Sequence, residues 1–321
     1  DQVMKLPFYN SFMEMGNAPS TELSAALAAA APGDLNRVFL TTGGSTANDS
    51  AIRFLHLVAN RTGRLDKKHI ITRADAYHGS TYLAASCSGK FSDRKDLDVI
   101  EDQFHHLASV NPYRRPDGMT VEEFCDARVA ELERTILRVG PEQVLGFIAE
   151  PILASGGVVV PPPGYHAKTL ALCRKYDVKY ISDEVVTAFG RLGHLFASEA
   201  VFGITPDIIT CAKGLTSGYV PLGAMILSES ICREADHDGS TVFSNGFTYA
   251  GHPVACAAAL RNLAILHGEA LCAHVRELSP YFLQRLRELD GLPIVGDVRG
   301  IGLLAGVEFV KSLRSQDGGD R

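Results

Sequence analysis

The feature that most restricts the fold is a recurring unit: a short apolar, β-branched run, then a turn, then a helical pattern. The runs are 37–42 (RVFLTT), 68–72 (KHIIT), 144–149 (VLGFIA), 178–182 (VKYIS), 207–211 (DIITC) and 223–227 (GAMIL). They are apolar nearly throughout, not at alternate positions, which suits strands covered on both faces. Helical stretches lie between many of them. Residues 49–60 set Ile52, Leu55 and Val58 on one stripe, and 121–139 and 163–176 look similar. This alternation predicts an α/β fold with a mostly parallel central sheet and helices on both faces.

The rhythm changes late in the chain. A long helix is expected over 252–268, a second over 277–289 and a strand over 302–310. We therefore expect a large domain over 1–275 and the start of a smaller α+β C-terminal domain over 276–321. The polar, glycine-rich residues 315–321 read as a frayed end. A chain of 321 residues, 46% hydrophobic and 21% charged, has material for a large core and about two domains.

Composition also excludes some partners. A formal net charge of −6 argues against nucleic acid, because phosphate binding needs a basic surface. The basic residues of 60–64, with Lys67 and Lys68, read as a solvated helix end and turn. Seven cysteines, odd in number and without a C-x-x-C pair, predict neither a disulfide framework nor a zinc site and fit the reducing cytoplasm. The longest apolar candidate, 25–31, stops at Pro32, so no membrane span and no signal peptide are expected. The histidines include no H-E-x-x-H, and His105-His106 reads as a polar loop.

In open parallel sheets, ligands bind beyond the carboxyl ends of the strands. After 37–42 comes Gly43-Gly44-Ser45-Thr46 and then a helix. Small residues at a helix N-terminus offer a phosphate site, although a plain helix cap with Thr46 and Asp49 fits as well. After 68–72 comes Tyr77-His78-Gly79, where an aromatic can stack on a flat ring. After 144–149 comes Glu150. After 178–182 comes Asp183, a carboxylate whose burial calls for a cationic partner. After 207–211 comes Lys213. A lysine ending an apolar strand is expected to be buried, and a desolvated amine suits Schiff-base chemistry. A phosphate cradle, a stacking aromatic, a buried anion and a buried amine at one sheet edge are the parts needed to hold pyridoxal 5′-phosphate (PLP).

With these residues in view, the chain resembles the class III (ω-amino acid type) aminotransferases of PLP fold type I. Four stretches carry the resemblance: 181–193 (ISDEVVTAFGRLG), 212–223 (AKGLTSGYVPLG), 247–253 (FTYAGHP) and 296–306 (GDVRGIGLLAG). It implies roles position by position. Lys213 matches the Schiff-base lysine and Asp183 the partner of the pyridine nitrogen. Val185 matches the residue on one ring face, and Tyr77, followed by His78, the aromatic on the other. Gly44 and Ser45 match the phosphate loop, with Gly43 in place of the common serine. Glu150 matches the glutamate near the ring. Thr248 matches a threonine reaching the neighbouring subunit's cofactor, which implies a homodimer, with a tetramer also open. Phe12 and Ser155 match positions lining the substrate pocket. The family pattern continues on both sides of these residues, including a carboxylate-gripping arginine not matched here, so the chain reads as part of a longer one.

The implied activity is ping-pong transamination between an ω-amino acid or primary amine and a keto acid, pyruvate first among them. Lys213 would move the proton and Asp183 would keep the ring nitrogen protonated. The alternatives are another PLP reaction, such as an aminomutase or decarboxylating transaminase, or a PLP-fold protein without turnover. A nicotinamide site at Gly300-x-Gly302-x-x-Ala305 is disfavoured because the motif runs into a strand, not a helix.

Overall fold

The computed structural model describes residues 1–10 and 15–311. Phe12 and the expected frayed end at 315–321 lie outside the described residues. The strands are β1 (Leu35–Thr41), β2 (His69–Arg73), β3 (Phe104–Leu107), β4 (Val144–Ala149), β5 (Lys179–Asp183), β6 (Ile208–Cys211), β7 (Gly223–Ser228), β8 (Val295–Ile301) and β9 (Leu304–Phe309). The helices are α1 (Gln2–Lys5), α2 (Ala18–Ala30), α3 (Gly44–Arg61), α4 (Tyr82–Cys87), α5 (Val121–Val139), α6 (Tyr165–Lys175), α7 (Ser198–Phe202), α8 (Glu229–Ala235), α9 (Pro253–Gly268) and α10 (Leu271–Arg287).

Seven strands form one sheet in the order β1-β7-β6-β5-β4-β2-β3, and β8 and β9 form a separate hairpin. Strand β7 runs antiparallel to both its neighbours, while the pairs from β6 across to β3 are parallel. The expected α/β fold with a mostly parallel sheet is therefore present.

The continuous apolar runs are explained by covering on both faces. Along each strand, neighbouring side chains point to opposite sides. Ile148, Ile181 and Ile208 pack with α3 residues Ile52, Leu55 and Val58 on one face. Phe147 and Tyr180 pack with α5 residues Leu132 and Ile136 on the other, and Ile209 and Ile226 meet Leu23 and Leu27 of α2 and Ala259 of α9.

One expectation is corrected and another holds. His105 and His106 form the centre of edge strand β3, not a loop. His69 Nδ1 lies 3.0 Å from His105 Nε2, so polar side chains pair across the sheet margin where water still reaches them. Gly300 and Gly302 belong to the β8–β9 hairpin and no helix follows, so the nicotinamide fingerprint has no structural counterpart.

Candidate active site

The carboxyl ends of β1, β2, β4, β5 and β6 come together at one sheet edge around a cavity of about 650 Å³. Nine of the expected site residues line it: Gly44, Ser45, Tyr77, His78, Glu150, Ser155, Asp183, Val185 and Lys213. Thr248 does not. It is exposed in the segment ahead of α9.

Helix α3 opens at the cavity with Gly44, and its first-turn N–H groups have no intrahelical acceptors. Thr46 does not form the expected cap with Asp49. Its hydroxyl donates back to the Gly43 carbonyl at 2.9 Å. Asp49 accepts from the Thr81 hydroxyl at 2.7 Å and the Ala84 N–H at 3.0 Å, which ties α3 to α4. Ser45 Oγ accepts the Ser80 N–H at 3.1 Å. Gly79, at φ +136°, permits that approach, because a Cβ there would lie 2.4 Å from Ser45 Oγ.

Asp183 and Glu184 are adjacent buried carboxylates with separate tasks. Glu184 accepts from the N–H groups of Ala197 (2.6 Å) and Ser198 (2.9 Å) and so holds the start of α7. Asp183 faces the cavity. Its Oδ2 accepts from Asn48 Nδ2 and from His78 Nδ1, each at 2.8 Å, and its Oδ1 accepts the Val185 N–H at 3.1 Å. Three donors meet a charge that would otherwise be costly to bury.

Glu150 joins two loops. Its Oε1 accepts the Tyr77 N–H at 2.9 Å and its Oε2 the Ala154 N–H at 3.1 Å. Burial pushes its carboxyl up to about 7, against the opposing effects of His78, the Tyr77 N–H and Arg73. Arg73, itself fully buried, donates to the Glu150 carbonyl at 2.5 Å.

Lys213 corrects an expectation. It is exposed on the cavity wall, not buried. Strand β6 ends at Cys211, and the chain turns out of the sheet before the lysine side chain would enter the core. Its backbone has φ +37°, a left-handed conformation that costs a non-glycine residue about 1–3 kcal/mol. Asn262 of α9 holds this turn by donating to the carbonyls of Gly214 (2.8 Å) and Leu215 (3.1 Å).

Sequence reasoning did not single out Asn48, Asn262 or Arg299. Asn48 had a signal: it is the polar position, one turn before Ile52, on the apolar stripe of α3. Arg299 joins the β8–β9 hairpin to the cavity loop, donating to Gly157 O (2.6 Å) and Val158 O (3.1 Å) while paired with Asp297 and Glu308.

The family model for class III aminotransferases matches residues 1–317. The chain belongs to that family. This class III chain is 40% identical over 321 residues to gamma-aminobutyrate transaminase 1, mitochondrial, of Oryza sativa, covering 99% of the chain but 62% of that relative. It is also 40% identical to a putrescine–pyruvate aminotransferase of Pseudomonas aeruginosa, over 98% of the chain and 69% of the relative. An ω-transaminase from Pseudomonas jessenii, solved in complex with PMP, superposes with a TM-score of 0.96 at 37% identity, covering all of this chain and 71% of that one. The class III chain thus spans less than two thirds of the rice relative's length. Family members use PLP, and the fold is that of the fold type I transaminases.

Proposed function

We propose that the protein is a PLP-dependent aminotransferase that exchanges an amino group between an ω-amino acid or primary amine and a keto acid, with pyruvate as the favoured acceptor. The observation that carries this reading is the meeting of Asp183, at the end of β5, and Lys213, just beyond the end of neighbouring β6, on one cavity with the N-terminus of α3. The residues fit the cofactor group by group. The first turn of α3, with Gly44 and Ser45, suits its phosphate, and Tyr77 and Val185 suit its two faces. The PMP in the related P. jessenii structure is the aminated form of the same cofactor, which supports the assignment.

PLP, when bound, supplies an aldehyde for imine exchange and a ring that withdraws electrons. Lys213 Nζ would hold the group at its aldehyde end, and the same nitrogen would accept and return the substrate-carbon proton. Asp183 would hold a proton at the ring nitrogen. Glu150 would fix the Tyr77 and Ala154 loops around the ring, and Ser155 would face the substrate. The two half-reactions would follow a ping-pong order.

The rest of the reading is of the same kind. Residues 1–275 would form the cofactor domain and 276–321 the beginning of a smaller one, supported by the separate β8–β9 sheet. The exposed Thr248 would reach the cofactor of a second subunit in a homodimer. None of the seven cysteines is paired with another, which suits the reducing cytoplasm. No single helix among the described residues is long and apolar enough to cross a membrane.

Borohydride treatment of the PLP-loaded protein, followed by peptide mapping, tests the central claim. The reduced cofactor should sit on Lys213, and Lys213→Ala should abolish both adduct and amine transfer to pyruvate. An adduct that persists in that variant overturns the assignment.

A further inference from the structure

We propose that Asn48 is a positioning residue for Asp183: its amide, together with the His78 ring, occupies one carboxylate oxygen, so that the other is left for the cavity. This rests on the PLP reading above and extends it to a residue with no assigned role.

Asn48 is buried, and its orientation is fixed from three sides. Its Nδ2 donates to Asp183 Oδ2 at 2.8 Å and to the His78 carbonyl at 2.7 Å. Its Oδ1 accepts the Thr210 hydroxyl at 2.7 Å. Turning the amide over would set its oxygen against two acceptors, so only one orientation satisfies the group. Thr210 is itself the register partner of Asp183 across β5 and β6. The hydroxyl on one strand therefore orients the amide that orients the carboxylate on the next.

The two oxygens of Asp183 differ as a result. Oδ2 takes two donors, Asn48 and His78, which fill its lone pairs. Oδ1 accepts the longer bond from Val185 N at 3.1 Å and keeps a lone pair. Asp183 lines the cavity, so Oδ1 is the atom that would meet the ring nitrogen's proton. Asn48 is also uncharged. It fixes the carboxylate without cancelling the charge that a protonated ring needs. It lies one helical turn, roughly 6 Å, along α3 from Gly44, so one rigid helix sets both the phosphate end and the nitrogen end of the site.

The test uses the full protein loaded with PLP labelled with ¹⁵N in the ring. In the wild type the nitrogen signal should be that of a protonated pyridine. Asn48→Ala should move it toward the unprotonated position and weaken cofactor retention by about 10- to 100-fold, the scale seen when outer partners of a site's ligands are removed. Thr210→Val, which frees the amide while keeping the strand, should move the signal in the same direction by less. Should Asn48→Ala fail to fold, Thr210→Val decides alone. An unmoved signal in the folded variants overturns the role of Asn48 while leaving the cofactor reading intact. A wild type that gives no borohydride-reducible adduct overturns both.

Discussion

Gly44 and Val185 are built around each other: a Cβ at position 44 would lie 3.0 Å from both Val185 methyl carbons. The helix start expected to take phosphate thus packs against the residue expected on the ring face. Gly44→Ala must push one of them aside, at a cost of about 1–3 kcal/mol by overpacking. Val185→Ala in the same chain should recover most of that loss, because residues in contact are coupled. Urea denaturation of the two single variants and the double variant measures the coupling, and simple additivity would rule out the contact.

Glu150 makes the fold pH-dependent in an unusual direction. Its carboxyl lies near 7 in the folded chain against an ordinary 4.5, so between those values the folded state holds a proton that the unfolded state has released. Its stabilising contribution is complete below pH 4.5 and is lost as the pH rises through about 7. Glu150→Gln lacks this titration. The stability of wild type relative to Glu150→Gln should therefore fall between pH 4.5 and about pH 7 and level off above that. A difference that does not change with pH would contradict the assignment.

Arg299 should matter more than a surface arginine. It satisfies the carbonyls of Gly157 and Val158 while paired with Asp297 and Glu308, and Glu308 is shared with Arg114. Arg299→Ala removes the partner of the Gly157 and Val158 carbonyls and of Asp297, and leaves Glu308 to Arg114 alone, so we expect a loss of about 2–4 kcal/mol. Hydrogen exchange should quicken in residues 154–159. Protection there equal to wild type would mean that the loop holds itself.

The thiols should be largely inert. Cys87, Cys125, Cys173, Cys211 and Cys256 are buried, and burial pushes the Cys256 thiol up to about 12. Cys232 and Cys272 are half-buried. Titration of the native protein with an aromatic disulfide should give at most these two as fast sites, and all seven after denaturation. Rapid reaction of more than two in the folded protein would contradict the packing.

The central strands were legible because burial on both faces writes itself into the residues: 144–149 and 207–211 admit few other environments. Edge strand β3 was not, since His105 and His106 need not be apolar where one side is open. The antiparallel direction of β7 was also hidden, because a strand's residues do not record which way its neighbour runs. At the site, the chemical groups were visible as residues that break an apolar pattern. What was not visible was their surroundings. Lys213 was expected to be buried, but the turn after β6 carries it onto the cavity wall. Asn48 acquires its partners only when α3 lies across β5 and β6.

The left-handed backbone at Lys213 has a consequence for how the chain tolerates change. Glycine would sit at this turn with less strain than lysine does. The replacement that removes the amine is therefore one the fold would welcome. A screen for heat resistance alone should enrich Lys213→Gly, and a library sorted that way would drift toward well-folded proteins without a reactive nitrogen.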